Sequence, residues 1–249
     1  MNFTEIKNSY FFCPIVLLPK LKMFPNITHL YINFDDIIEP GQIPKTVTHI
    51  RFCNIFNSRI NRNVLPNGIT QIIFGNDFNQ PIDIGTIPRS VKKIKFGSSF
   101  NQELSIGSIP NSVTHLIFGD NYNLPIKCGV LPDKLILLYF GNYFYEHIYP
   151  RALPPSIKFL KMNLYSIYNK NINELDNLIS INSNVYSTSI NPDIFTNYKI
   201  NKWSYRNIIC WDKDTQDFIQ DIFSSRYSSI LENLPRELVH YILEYPILL

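Results

Sequence analysis

Prolines recur at one fixed interval through the middle of the chain, and no other feature of the sequence constrains the fold as strongly. The interval is 22 residues, and the series comprises Pro44, Pro66, Pro88, Pro110, Pro132 and Pro154. Self-similarity at a short, constant period is the signature of a repeat protein. We therefore expect six successive rows of one local structure, and positions are numbered below from the proline that opens each row.

Every row repeats the same apolar positions. A branched apolar residue stands at Pro+3, namely Val47, Ile69, Val91, Val113, Leu135 and Ile157. Another stands at Pro+6, namely Ile50, Ile72, Ile94, Leu116, Leu138 and Leu160. Pro+8 holds Phe52, Phe74, Phe96, Phe118, Phe140 and Met162, and Pro+12 holds Phe56, Phe78, Phe100, Tyr122 and Phe144. The rows therefore share one pattern of apolar columns.

The spacing of these columns predicts one short strand per row. Side chains alternate along a strand, so Pro+6 and Pro+8 point to the same face. The glycine at Pro+9 (Gly75, Gly97, Gly119 and Gly141) is expected to adopt a positive φ and turn the chain off the strand. Stacked rows would bury apolar side chains that one row cannot cover, at about 1.5–3 kcal/mol per large side chain. The sequence predicts a mainly β, leucine-rich-repeat-like solenoid with a parallel sheet, followed by a small helical C-terminal segment.

Short phrases inside the rows resemble a known repeat family. The chain reads FNQPI at residues 78–82 and FNQEL at 100–104, with Ile-Pro-x-Ser-Val at 87–91 and 109–113. This combination is similar to the FNIP repeat over roughly residues 25–162. That family is grouped with leucine-rich repeats and is common in amoebae and in the large viruses that infect them. The resemblance therefore implies a viral or amoebal interaction solenoid.

The end of the chain resembles the opening of an F-box. Residues 234–243 read LPRELVHYIL, and the apolar residues of this stretch form one helical stripe. F-boxes dock on the small adaptor of cullin-type ubiquitin ligases, so the resemblance implies ligase docking by Leu234, Pro235, Leu238, Ile242 and Leu243. A second interpretation stays open, in which the same stripe only caps the solenoid.

Changes in pattern divide the chain into four parts. Residues 1–43 are expected to form an N-terminal cap and a degenerate repeat, and residues 44–165 the solenoid. Residues 166–212 are polar and aromatic in turn, which indicates a degenerate repeat or a C-terminal cap. Residues 213–249 follow a helical period and include the F-box-like tail.

Composition limits the cellular compartment and the classes of partner that we expect for this protein. The formal net charge is +3, which is too slight to predict nucleic-acid binding. Four cysteines occur without a close pair, which gives no zinc-type spacing and favours a reduced, cytoplasmic protein (host cytoplasm if viral). The apolar run at residues 10–18 is too short to cross a bilayer, so no membrane association is expected.

The most exposed columns are expected at Pro+5 and Pro+7, which point away from the core. They grade from polar and basic to apolar and aromatic along the array, a change that favours a protein partner on this face. The candidate partner-binding residues are Arg51, Ile73, Lys95, Ile117, Leu137, Tyr139, Phe159 and Lys161. The alternative is that the C-terminal region folds over the apolar end of the face.

Other recurring polar residues have simpler interpretations. Asn57, Asn79, Asn101 and Asn123 are expected to form a buried hydrogen-bonded ladder. His29 and His49 could stack on adjacent strands, without the accompanying ligands that a metal site needs. The chain lacks a nucleophile elbow and a His-Glu-x-x-His phrase.

Two hypotheses follow, both without catalysis, cofactor or metal. In the first, the protein is a protein–protein interaction solenoid that recruits substrates to a cullin-type ubiquitin ligase through its tail. In the second, it is a pure scaffold whose C-terminal helices only cap the array.

Overall fold

The computed structural model describes residues 10–13, 18–21, 26–161 and 180–182. All of these belong to the first of two compact units, Met1–Ile200. The second unit, Asn201–Leu249, lies outside the described residues, and so does the predicted F-box-like tail. The predicted division into four parts stays a prediction.

Within these described residues, nine short parallel strands form one sheet in chain order. They are β1 (Tyr10–Cys13), β2 (His29–Ile32), β3 (His49–Phe52), β4 (Gln71–Ile73), β5 (Lys93–Lys95), β6 (His115–Ile117), β7 (Leu137–Tyr139), β8 (Phe159–Lys161) and β9 (Ser180–Asn182). From β3 to β8, each residue pairs with the one 22 positions further along, as His49 does with Gln71. The predicted β-solenoid is therefore confirmed. Among the described residues, helical structure is limited to a short 3₁₀ turn at residues 18–21.

Proline starts each row because it begins a turn. The carbonyl oxygen of every row proline accepts a hydrogen bond from the N–H at Pro+3, at 3.0–3.2 Å. At the next position, the N–H of Pro+4 donates to the Pro+4 carbonyl oxygen of the preceding row, at 2.7–2.9 Å. The turn therefore delivers the chain to the sheet in the same register in every row.

The core consists of the predicted columns stacked row upon row. The Pro+3 and Pro+6 side chains are buried throughout the array. Neighbouring rings of the Pro+8 column lie 5.0–5.8 Å apart, and those of the Pro+12 column 6.0–6.3 Å apart. Within one row the two rings approach to 3.9–4.4 Å. Two aromatic stacks thus run side by side along the solenoid. Met162, the last residue of the Pro+8 column, lies outside the described residues.

The glycines at Pro+9 serve a different purpose from the predicted one. Their φ angles are not positive, so the expectation of a left-handed turn there is wrong. A Cβ added at Gly97 would lie 1.8 Å from the carbonyl oxygen of Gly75, and the equivalent distances at the other three are 1.7–2.2 Å. The backbones of successive rows pass so close at this corner that no side chain fits between them.

The left-handed turn lies three residues before each proline. Gly41, Gly85, Gly107 and Gly129 have φ between 76° and 87° there, and Asn63 and Arg151 have φ of 65° and 59°. Glycine adopts this conformation without steric strain, whereas a side chain with a Cβ costs about 1–2 kcal/mol. This column closes each row and leads the chain to the next proline.

The sheet extends beyond the regular array at both ends. Before the array, residues 10–13 form β1 and pair with β2. After the array, β9 pairs with β8. Strands outside the series of six prolines therefore still pair into the sheet.

Exchanging two glycines for alanine will separate close approach from conformational strain. Gly97→Ala places a Cβ against a backbone oxygen that cannot move without shifting a row, so we expect a loss of about 3 kcal/mol or more in the free energy of unfolding. Gly107→Ala meets no atom within 4 Å but must hold a positive φ, so we expect a loss of about 1 kcal/mol. Urea unfolding measures both, and equal losses would contradict the steric role of Pro+9.

Tyr122 predicts a specific alkaline destabilisation. Burial, with a smaller contribution from the Glu103 carboxylate, raises the pKa of the Tyr122 phenol well above its ordinary value of 10.0. The folded protein keeps this proton after the unfolded chain releases it, so the stability that it contributes is complete below pH 10 and is lost as the pH rises further. Tyr122→Phe should therefore lose less stability above pH 10 than the wild type does.

The comparison requires unfolding curves at neutral and alkaline pH. At neutral pH, Tyr122→Phe should change stability by less than about 1 kcal/mol, because phenylalanine fills the same column in the other rows. Tyr149→Phe is the control, since Tyr149 is 45% exposed. An alkaline loss of the same size in both variants would refute the assignment.

Candidate interaction surface

The outer face of the sheet is built from the Pro+5 and Pro+7 columns. Because side chains alternate along each strand, these residues project opposite to the buried Pro+6 column. The strand pairing aligns Arg51, Ile73, Lys95, Ile117, Tyr139 and Lys161 in one column, and Leu137 and Phe159 in the other. The structure therefore brings all eight predicted partner-binding residues onto one face.

This face is less exposed than the sequence predicts. Ile73, Ile117 and Leu137 are each 5% exposed, so the expectation that these columns are the most exposed of the sheet is wrong for them. Arg51, Lys95, Tyr139, Phe159 and Lys161 have intermediate exposure, and each has an interaction partner. Alternation along a strand sets the direction of a side chain and does not by itself determine how exposed it is. A role of the eight residues in binding stays a prediction.

Contacts along the columns hold the outer side chains in place. The rings of His29 and His49 stack at 4.2 Å, as the sequence predicts, and the hydroxyl of the preceding threonine lies within hydrogen-bonding distance of Nδ1 in each. At the other end, Lys161 Nζ lies 4.1 Å above the Tyr139 ring and donates to its hydroxyl oxygen at 2.5 Å. The face is therefore ordered before any partner binds, which lowers the entropy that binding costs.

A ladder of asparagines follows the Pro+12 aromatic column. The Oδ1 atom of Asn57 accepts a hydrogen bond from the backbone N–H of Asn79, and the same bond recurs at Asn101 and Asn123, at 2.8–3.0 Å. Asp35 takes the place of the first asparagine and accepts from the N–H of Asn57. The predicted ladder is present, but its residues are half-buried or exposed, so the expectation that it is buried is wrong.

Hydroxyl side chains form a further set of contacts between rows that the sequence analysis missed. Thr48 and Thr70 donate from Oγ1 to the threonine carbonyl oxygen one row earlier, and Ser90 and Ser112 donate from Oγ to the Pro+3 carbonyl oxygen of the preceding row. The recurrence of Thr at Pro+4 and Ser at Pro+2 is the signal that could have identified them. The donor hydrogens of these hydroxyls are therefore used by the fold and are not available to a ligand.

The described ranges contain neither a cluster of metal-ligand side chains nor a membrane-spanning helix. No three His, Cys, Asp or Glu side chains in them lie close enough together to hold a metal ion. None of their helices has the length and apolarity needed to span a bilayer. Burial raises the pKa of the Cys13 thiol to about 11, which disfavours its reactive thiolate.

The five predicted ligase-docking residues fall outside the described part of the chain. Leu234, Pro235, Leu238, Ile242 and Leu243 therefore have no structural account here, and their role stays a prediction.

Comparison with known proteins identifies the repeat. A family model described as the FNIP repeat matches residues 18–54, 56–99, 100–143 and 122–165. The fold is similar to the crystal structure of CroV588, described as a novel circular LRR protein, with a TM-score of 0.54 and 41% sequence identity. That match covers 55% of this chain and 20% of the solved chain, so the shared part is one fifth of the solved protein. A search of curated proteins found no match.

Proposed function

The chain belongs to the family of FNIP-repeat proteins, and from this membership we propose that it is a non-enzymatic scaffold that holds a protein target on the outer face of its sheet. FNIP and leucine-rich-repeat solenoids are typically interaction repeats without catalytic activity. The proposal depends most on one observation, the alignment of eight side chains of six residue types on a continuous parallel sheet.

The contrast between the two faces supports this function. Inward positions keep nearly the same residue type in every row, as in the isoleucines and leucines at Pro+6. Outward positions do not, since Pro+7 changes from Arg51 through Ile73 and Lys95 to Tyr139. Rows that share one backbone need the same core, but nothing in the fold requires the outer residues to differ. Such variation on a rigid surface is what recognition of one particular partner requires.

The chemistry of the face indicates how a target would bind. Arg51 and Lys95 offer positive charge on the N-terminal and central strands, and Tyr139 and Phe159 offer aromatic surface towards the C-terminal strands. Aromatic and arginine side chains supply much of the binding energy at protein interfaces. A target with a carboxylate-bearing part and an apolar part fits this gradient.

We further propose that the tail recruits a cullin-type ubiquitin ligase, which would make the protein a substrate adaptor. The support is the F-box-like stretch at residues 234–243 together with the interaction solenoid that precedes it. The competing function is that of a pure scaffold whose C-terminal helices cap the array. The apolar stripe at Leu234, Leu238 and Ile242 serves either purpose, so the two must be distinguished by experiment.

Photo-crosslinking will test the sheet face. We expect p-benzoylphenylalanine in place of Tyr139 to crosslink the full-length chain to a discrete protein target in cells of its source. The same amino acid in place of Tyr143 should not, because Tyr143 is 57% exposed but lies off the sheet. Mass spectrometry identifies the products, and crosslinks formed only from position 143 would contradict the assignment of the face.

A paired measurement will separate the adaptor from the capped scaffold. Leu238→Asp combined with Ile242→Asp should abolish co-purification of the F-box-binding adaptor while leaving the melting temperature of the solenoid within about 2 °C of wild type. A cap would behave differently, because charge buried against the array destabilises it and no adaptor would be recovered even with the wild type. That second result would overturn the adaptor role.

A further inference from the structure

Charge is unequally divided between the two edges of the sheet. The basic edge is defined here as positions Pro+1 to Pro+4 of the six rows, where the chain turns into each strand. It contains five cations and one anion, namely Lys45, Arg89, Lys92, Lys134, Lys158 and Asp133. Positions Pro+8 to Pro+13 at the opposite edge contain two carboxylates, Asp77 and Asp120, and no cation. A molecule with a small net charge thus has one strongly positive edge.

The cations of the basic edge are available to a partner. All five are exposed, and none forms a salt bridge within the part of the chain that the structure describes. The salt bridges there are Arg59–Asp83 and Lys127–Glu103, both located beyond the ladder on the return path to the next proline. The one anion of the edge, Asp133, lies 3.4 Å from the Asn111 side-chain amide. Unpaired charges arranged along a rigid scaffold favour a ligand of opposite sign.

The stacking of the rows spreads these cations along the solenoid axis. Rows stack about 4.8 Å apart, so Lys45, Arg89 and Lys134 are separated by about 10 Å per step along the axis, and Lys158 lies about 5 Å further along it. The whole series spans about 24 Å along the solenoid axis. An extended polypeptide rises about 3.3 Å per residue, so about eight residues cover the same length. Alternate side chains on one face of such a peptide recur at about 6.6 Å, close enough for flexible lysines to reach.

We infer that the basic edge is a second interaction surface, which binds an acidic polypeptide segment in extended conformation along the solenoid axis. This surface is distinct from the sheet face proposed for the target. Its affinity is electrostatic, because the Thr and Ser hydroxyls between the cations already donate to the backbone of the preceding row. The binding therefore weakens as salt increases.

The composition of the edge favours a carboxylate-rich peptide over a nucleic acid. Proteins that bind single strands combine positive charge with aromatic side chains on which bases stack. The Pro+1 to Pro+4 positions contain no aromatic residue in any of the six rows. Duplex binding relies on many phosphate contacts, whereas this edge carries five cations with an acid among them.

The test measures peptide binding by fluorescence anisotropy with the full chain. The probe is a labelled oligo-glutamate of about ten residues, with an oligo-glutamine of equal length as the uncharged control. We expect binding of oligo-glutamate at about 50 mM NaCl that falls steeply by about 300 mM, and no binding of oligo-glutamine. Arg89→Glu combined with Lys134→Glu should weaken the binding by at least about tenfold, because it reverses two of the aligned charges.

A control variant tests whether the weaker binding is specific to charges on the basic edge. Arg62→Glu combined with Lys127→Glu makes the same change in net charge at exposed positions on the return path, and should bind oligo-glutamate within about twofold of wild type. Equal weakening in both variants would show that binding depends only on the net charge of the protein, and it would overturn the proposal. Failure of oligo-glutamate to bind at low salt, or tighter binding of an oligothymidylate of the same length, would also overturn it.

Discussion

The distance between successive rows controls the rest of the structure. At Gly75, Gly97, Gly119 and Gly141, the backbone of one row passes so near the carbonyl oxygen of the row before that even a methyl group is excluded. This contact admits no side chain at that corner, and the constant row length of 22 residues brings the strands of the array into matching register. The aromatic rings stack because the same columns meet in successive rows. Rows of other lengths still pair in the sheet, with an offset of 20 residues between β2 and β3 and of 21 residues between β8 and β9.

Close stacking of the rows also requires hydrogen-bond partners for the backbone groups at the corners, and polar side chains supply them. Each turn exposes backbone groups that its own row cannot bond, and Asn, Thr and Ser side chains of neighbouring rows supply the missing partners. No side-chain nitrogen or oxygen buried within the described residues lacks a hydrogen bond. In the described array the interior is therefore apolar and the corners are polar.

The sequence predicted the period, the core columns and the order of the strands, because each depends on which residues recur at which spacing. It did not predict the purpose of the Pro+9 glycines, since that depends on a distance between rows that no single row encodes. The left-handed column could have been found from its four glycines, but Asn63 and Arg151 interrupt the pattern. The exposure of Ile117 and Leu137 was wrongly predicted. The alternation of side chains along a strand gives the direction in which each one projects, but it does not give how exposed that side chain is.

The asparagine ladder gives the array a freedom that globular domains lack. From Asn79 to Asn123, every row receives a hydrogen bond acceptor from an asparagine of the row before it and presents an identical one to the row after it. Removing or duplicating one 22-residue block within this stretch would rejoin equivalent surfaces. Asn123 ends the series by accepting from both Tyr145 and Glu146, so growth beyond it would need different chemistry. The number of interior rows is therefore free to change without any new kind of contact between rows.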